Sequence, residues 1–101
     1  MPFYSKDVRK LRLSLGLDYD EFARVIGVSS RTVRRWESNS KQKRIPGSAG
    51  DILSVFQIAV DKDCDKFSSL VREASVMGGL AFLLMKLLKH YLGSDFNPYD
   101  V

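Results

Sequence analysis

An all-α fold is predicted, on three observations. Apolar residues recur at helical spacing through most of the chain, no run alternates like a strand for more than a few residues, and Gly or Pro punctuates the pattern. With 101 residues, 45% of them apolar and 28% charged, the chain fits one domain. A core covering roughly 60–70% of the unfolded surface is then within reach, and this excludes wholesale disorder.

The elements follow in order. A first helix starts with Ser5 as N-cap and Asp7 in its first turn, sets Val8, Leu11 and Leu15 on one face, and ends at Gly16. A second, about eight residues long, opens on Asp18 with Glu21 three residues on, an acidic form of the capping box, and buries Phe22, Ala23 and Ile26 before Gly27. Ser29 caps a third helix reaching Glu37, with Val33 and Trp36 inward and Arg31, Arg34 and Arg35 pointing elsewhere. Residues 38–47 read as a polar, basic loop in which Asn39 suits a left-handed C-cap and Pro46 blocks helix continuation.

Ser48 is then expected to cap a fourth helix whose core face is Ile52, Leu53, Phe56, Ala59 and Val60. A fifth runs from about Asp65 with Phe67, Leu70, Val71 and Ala74 inward, and Gly78-Gly79 breaks or kinks it before a last segment, residues 80–92. Residues 93–101 show no periodicity.

Charge divides the chain. Residues 1–47 hold eleven Lys and Arg against five acids, net +6, whereas residues 48–101 hold five against seven, net −2. The anion-facing surface is therefore expected in the first half. Residues 27–37 read GVSSRTVRRWE, and the spacing meets the mechanical needs of a helix-turn-helix. Two helices crossing steeply through a short turn need a small contact residue, which is Ala23, and a turn residue free to take positive φ, which is Gly27. Phe22, Ile26, Val28, Val33 and Trp36 fill the space between, leaving Ser30, Arg31, Thr32 and Arg35 on the outer face of the third helix.

Over residues 6–60 the chain resembles the Cro/Xre helix-turn-helix family, the fold of lambda-type phage repressors and many bacterial regulators and antitoxins. The resemblance rests on Leu11-Arg12-x-x-x-Gly16-Leu17, Glu21-Phe22-Ala23-Arg24, Gly27-Val28-Ser29, Thr32-Val33-x-x-Trp36-Glu37 and Ile45-Pro46. It implies a lambda-repressor-like bundle of four to five helices, with the third as recognition helix in the major groove of double-stranded DNA. Base-edge contacts then fall to Ser30, Arg31 and Arg35, with Thr32 placed to meet a thymine methyl. Phosphate contacts fall to Tyr19, Ser29, Arg34, Lys41, Lys43 and Arg44. The family often pairs an Arg of helix one with the Glu ending helix three, which implies a buried scaffold pair between Arg12 and Glu37. The chain departs from the family in placing Ser38-Asn39 where a Gly usually follows that Glu, and in its long basic loop.

Other constellations carry less. The cations of residues 41–44 would read as solvated loop without the adjacent motif, and Trp36 sits at a core position rather than on a stacking platform. His90 has no second ligand for a metal. Cys64 has acids beside it that oppose thiolate formation, and as the single cysteine it forms no intramolecular disulfide. No nucleophile–base arrangement or Gly-rich phosphate loop is legible, so neither enzyme activity, cofactor nor metal is expected.

Leu80, Phe82, Leu83, Leu84, Leu87, Leu88 and Tyr91, with Met85, make an apolar face too broad for a small monomer to cover. If four helices already close the family core, the material past about residue 65 is surplus. The expected organisation is a DNA-binding domain over residues 1–62 and a helical extension and tail over 63–101 that dimerises, within the same compact unit. A two-fold dimer sets two recognition helices about 34 Å apart, one turn of duplex. The alternative is an antitoxin-type protein whose C-terminal face or tail occupies a partner such as a toxin. The longest apolar run, residues 76–85, is far short of the roughly 20 residues of a membrane span, and no signal-peptide pattern opens the chain, so a cytoplasmic repressor is expected.

Overall fold

The computed structural model describes the backbone of residues 3–38 and 43–92, and their side chains as far as Lys86. Asn39, Lys41 and residues 93–101 lie outside the described residues, as do the side chains of Leu87, Leu88, His90 and Tyr91. A short 3-10 turn (Ser5–Asp7) leads into α1 (Val8–Ser14), followed by α2 (Tyr19–Ile26), α3 (Ser30–Ser38), α4 (Gly47–Lys62), α5 (Cys64–Met77) and α6 (Leu80–Leu92). The fold is an all-α, lambda-repressor-like helix-turn-helix bundle. No described helix is long and apolar enough to cross a membrane.

Local chemistry sets most boundaries. Asp18 Oδ1 accepts from the Glu21 N–H at 2.8 Å while Glu21 Oε1 accepts from the Asp18 N–H at 2.9 Å, a complete capping box. Gly27 ends α2 at φ 86°, and its N–H and that of Val28 both donate to Ala23 O, at 2.9 and 3.0 Å. Ser29 Oγ accepts from the Thr32 N–H at 3.1 Å and starts α3. Asp63 does the same for α5 through the Lys66 N–H.

Two expected caps are not there. Ser5 falls inside the 3-10 turn, is buried, and accepts the Lys43 N–H at 3.3 Å instead of capping α1, whose N-cap position is Asp7. The fourth helix begins one residue before Ser48, at Gly47, with Pro46 in its N-cap position and no side-chain cap. The contact of Ser5 belongs to a long-range feature. Residues 3–5 pair with 43–45 as an isolated antiparallel bridge, Ser5 N–H donating to Lys43 O and Ile45 N–H to Phe3 O, each at 2.8 Å. Phe3 and Ile45 are carried into the core by it.

One hydrophobic cluster joins all these elements. Val8, Leu11 and Leu15 of the first helix and its end meet Phe22, Val25 and Ile26 of α2, Val33 of α3, and Leu53 and Phe56 of α4. The same cluster contains Phe67, Val71 and Ala74 of α5 and Leu83 of α6, with the Phe56 and Phe67 rings edge to face at 5.2 Å. The material past residue 65 is therefore not surplus to the core; it helps to close it.

The α5–α6 corner shows how closely it is fitted. Arg24 Nη1 donates to Ser75 O at 2.6 Å, placing a cation at the carbonyl end of α5. Gly79, at φ 70°, rides directly on the Arg24 backbone: a Cβ there would stand 2.7 Å from Arg24 O. Leu80 Cδ2 meanwhile reaches the turn between α2 and α3, 3.0 Å from where a Gly27 Cβ would sit.

Candidate nucleic-acid interface

The framework of the candidate interface is α2 and α3, and one pair of side chains ties the end of α3 to α1. Arg12 Nε donates to Glu37 Oε2 at 2.7 Å, Nη2 to Oε1 at 3.0 Å, and Nη1 to Leu17 O at 3.0 Å. The two side chains are only 10% and 5% exposed. A bidentate, desolvated pair of this kind fixes the end of α3 against α1 and the α1–α2 turn. The hydrogen bond to Glu37, opposed by burial, holds the Arg12 pKa above its ordinary value. The Arg12 guanidinium also lies 4.3 Å from the Tyr19 ring centroid, and that of Arg34 lies 5.2 Å from the same ring.

With Val33 fully buried and Trp36 half-buried, the opposite side of α3 is turned outward. Arg31, Arg34 and Arg35 are exposed, Ser30 and Thr32 half-exposed. The Thr32 hydroxyl lies 2.9 Å from Ser29 Oγ, so the two hydroxyls of the helix entrance are tied together. Arg31 and Arg35, four residues apart, share one helix face. Lys43 and Arg44 are exposed beyond the C-terminal end of α3 and, with Arg35, Trp36, Ser5, Ile45 and Pro46, line a cleft of about 240 Å³. The structure thus brings together Ser29, Ser30, Arg31, Thr32, Arg34, Arg35 and Tyr19 on the α2–α3 unit, and Lys43 and Arg44 beside it.

The C-terminal face is divided. Leu83 is fully buried inside the chain's own core and is not available to a second chain, and Leu80 packs toward Gly27. Phe82 is half-buried, with Lys86 Nζ 5.4 Å from its ring centroid. Leu84 at 49% and Met85 at 38% remain exposed, as do Val76 and Met77 at the end of α5.

Two positioning contacts escaped the reading of the sequence, Arg24 to Ser75 and Ser5 to Lys43. They join residues 51 and 38 positions apart, and no local pattern marks either. Among the described residues no group of His, Cys, Asp and Glu could hold a metal ion. Cys64 Sγ sits 3.7 Å from Ser14 O and from Ser68 Oγ.

A helix-turn-helix family model matches residues 8–47, from the start of α1 to the first residue of α4. No curated protein and no solved structure matches the chain. Residues 8–47, which contain the Asp18–Glu21 box, the Gly27 turn, the exposed arginines of α3 and the Arg12–Glu37 pair, are thus a helix-turn-helix segment of the Cro/Xre type, a family of DNA-binding regulators.

Proposed function

We propose that this protein is a sequence-specific reader of double-stranded DNA that inserts α3 in the major groove, acts as a two-fold dimer, and represses by occluding its site. One observation carries the reading. The outer face of α3 presents Arg31 and Arg35 to solvent, while the one acid of that helix, Glu37, is held by Arg12. A duplex meeting this face finds cations and hydroxyls with no competing carboxylate. Arg31 near the entrance of α3 is the principal base reader, its guanidinium matching guanine O6 and N7, with Ser30 and Thr32 beside it. Tyr19, Ser29, Arg34, Lys43 and Arg44 grip phosphates on the flanks, and Lys41 of the same loop adds to the basic stretch.

The exposed side chains of Leu84 and Met85 on α6, and of Val76 and Met77 at the end of α5, favour a second chain on these helices. That chain is a second copy. The same apolar surface favours, as the alternative, an antitoxin-type arrangement with a heterologous protein; insolubility of the chain alone, relieved by a co-expressed partner, would mark that case.

Salt titration of binding tests the dimeric reading. If each subunit neutralises about five phosphates, the logarithm of affinity falls against the logarithm of salt with a slope near −9. A slope of about half that value indicates one subunit per site and removes the dimer.

A further inference from the structure

The turn that aims the recognition helix is held from outside the helix-turn-helix segment. We propose that Leu80 and Arg24 are positioning residues for DNA reading: through them the α5–α6 corner braces the α2–α3 turn and fixes the entrance of α3. The inference rests on the docking of α3 proposed above, and it adds a requirement for residues beyond the matched segment, 8–47.

The first argument is what the turn lacks. None of residues 27–30 is buried: Gly27 and Ser29 are exposed, Val28 and Ser30 half-buried. Apart from the partial packing of Val28 against the core, burial does little to fix this stretch. Yet Ser30 and Arg31, which open α3, follow Gly27 by only three and four residues.

The second is what the corner supplies. Leu80 Cδ2 lies 3.0 Å from where a Cβ on Gly27 would stand, so the glycine that gives the turn its φ of 86° also makes room for Leu80. Three residues before Gly27, Arg24 Nη1 donates to Ser75 O at 2.6 Å. The Gly79 backbone lies so close to Arg24 that a Cβ there would stand 2.7 Å from the Arg24 carbonyl oxygen. The corner thus engages both the side chain and the backbone of Arg24.

The third is that the brace is itself anchored. Leu83, in the next turn of α6 after Leu80, is fully buried in the core, and its N–H donates to Gly79 O at 3.0 Å. Ala74 and Ser75, toward the end of α5, are fully buried as well. A side chain on a fixed helix, set against a turn, restricts the tilt of the helix that follows. Binding constellations tolerate little displacement, about 0.5 Å from their working geometry. The Leu80 side chain has neither charge nor hydrogen-bonding group, so its effect on DNA reading passes through the turn.

The test uses the full chain, a duplex selected for tight binding, and a scrambled duplex of equal length. Leu80→Ala is expected to weaken binding of the selected duplex about threefold to tenfold, the range for mutations that act on a site without touching its ligand. The scrambled duplex and the salt slope should be unchanged, since no phosphate contact is lost. Leu80→Met, which conserves volume, is expected to restore most of the preference. Leu80→Val, a milder truncation, is expected to lose part of it and carries the test if the alanine variant does not fold. Arg24→Met, which removes the bond to Ser75 O, is expected to lower the preference in the same direction and to add little in the Leu80→Ala background. A preference that survives truncation of Leu80 would overturn the proposal. Equal weakening of both duplexes, in step with the unfolded fraction, would also overturn it, because it marks loss of folded protein. Arg31→Ala serves as the separate control: if it leaves the preference for the selected duplex intact, the groove reading fails irrespective of the result at Leu80.

Discussion

Glu37→Ala strikes the contact on which the position of α3 depends. It removes both acceptors from the Arg12 guanidinium, which is 8% exposed as a residue and keeps only Leu17 O and the face of Tyr19. Removing one partner of a buried ion pair costs about 3–5 kcal/mol, because the surviving charge is left desolvated. The two contacts that remain to Arg12 argue for the lower figure, about 3 kcal/mol. For a chain of 101 residues, an unfolding entropy of about 2.1 cal/mol/K per residue converts this to a fall in Tm of roughly 14 °C.

The assay is urea unfolding followed by far-UV circular dichroism, in which the midpoint falls and the slope stays constant. Arg12→Met combined with Glu37→Leu is expected to recover most of the loss, since apolar replacement of a buried pair is often close to neutral. A loss below about 1 kcal/mol for Glu37→Ala, the range of an exposed pair, would refute the scaffold role. The pH dependence has a definite sign. The folded-state pKa of Arg12 is raised, chiefly by its hydrogen bond to Glu37, so this contribution is complete below arginine's ordinary pKa and is lost only as pH rises through the raised value. From the Arg12 side, stability is expected to be flat across the neutral range.

Other perturbations separate the parts of the account. Leu83→Ala, in the chain's own core, should cost about 2–5 kcal/mol in unfolding experiments, whereas Leu84→Asp, on the exposed side of the same helix, should leave stability within about 0.5 kcal/mol and shift sedimentation toward monomer. Gly79→Ala and Gly47→Ala both place a side chain at φ 70°, but only the first also meets a backbone oxygen at 2.7 Å. The strain common to both is about 1–2 kcal/mol, so Gly79→Ala should be the more damaging in denaturant midpoint. Arg31→Ala should reduce discrimination of the preferred base pair by about 1–3 kcal/mol, read by competition between the selected duplex and its single-base variants.

What was legible in the sequence was local or periodic. The Asp18–Glu21 box, the left-handed turn at Gly27, the Ser29 cap and the break at Gly78-Gly79 are each written in a few adjacent residues, and each stands where those residues place it. The misreadings share a cause. Ser5 has the chemistry of an N-cap, but its hydroxyl is taken by a loop 38 residues away, and Pro46 with Gly47 starts α4 without help from Ser48. The apolar face of the last helix was read as one surface, although Leu83 and Leu84 go to opposite fates, core and solvent. Periodicity shows that a face is apolar; it does not say whether this chain or another one covers it. Nor could spacing reveal that the α5–α6 corner seats on Arg24 and reaches the Gly27 turn, because that fit depends on a glycine and an arginine 55 positions apart in sequence.

In the proposed function, α3 reads sequence in duplex DNA, two copies at a time. Selection of bound duplexes from a random-sequence library by the purified protein at about 0.15 M salt, followed by sequencing, tests it most directly. A palindromic motif with half-sites about ten base pairs apart is expected. Enrichment of no sequence, with retention lost at modest salt, would contradict it and reduce the arginines of α3 to a non-specific electrostatic surface.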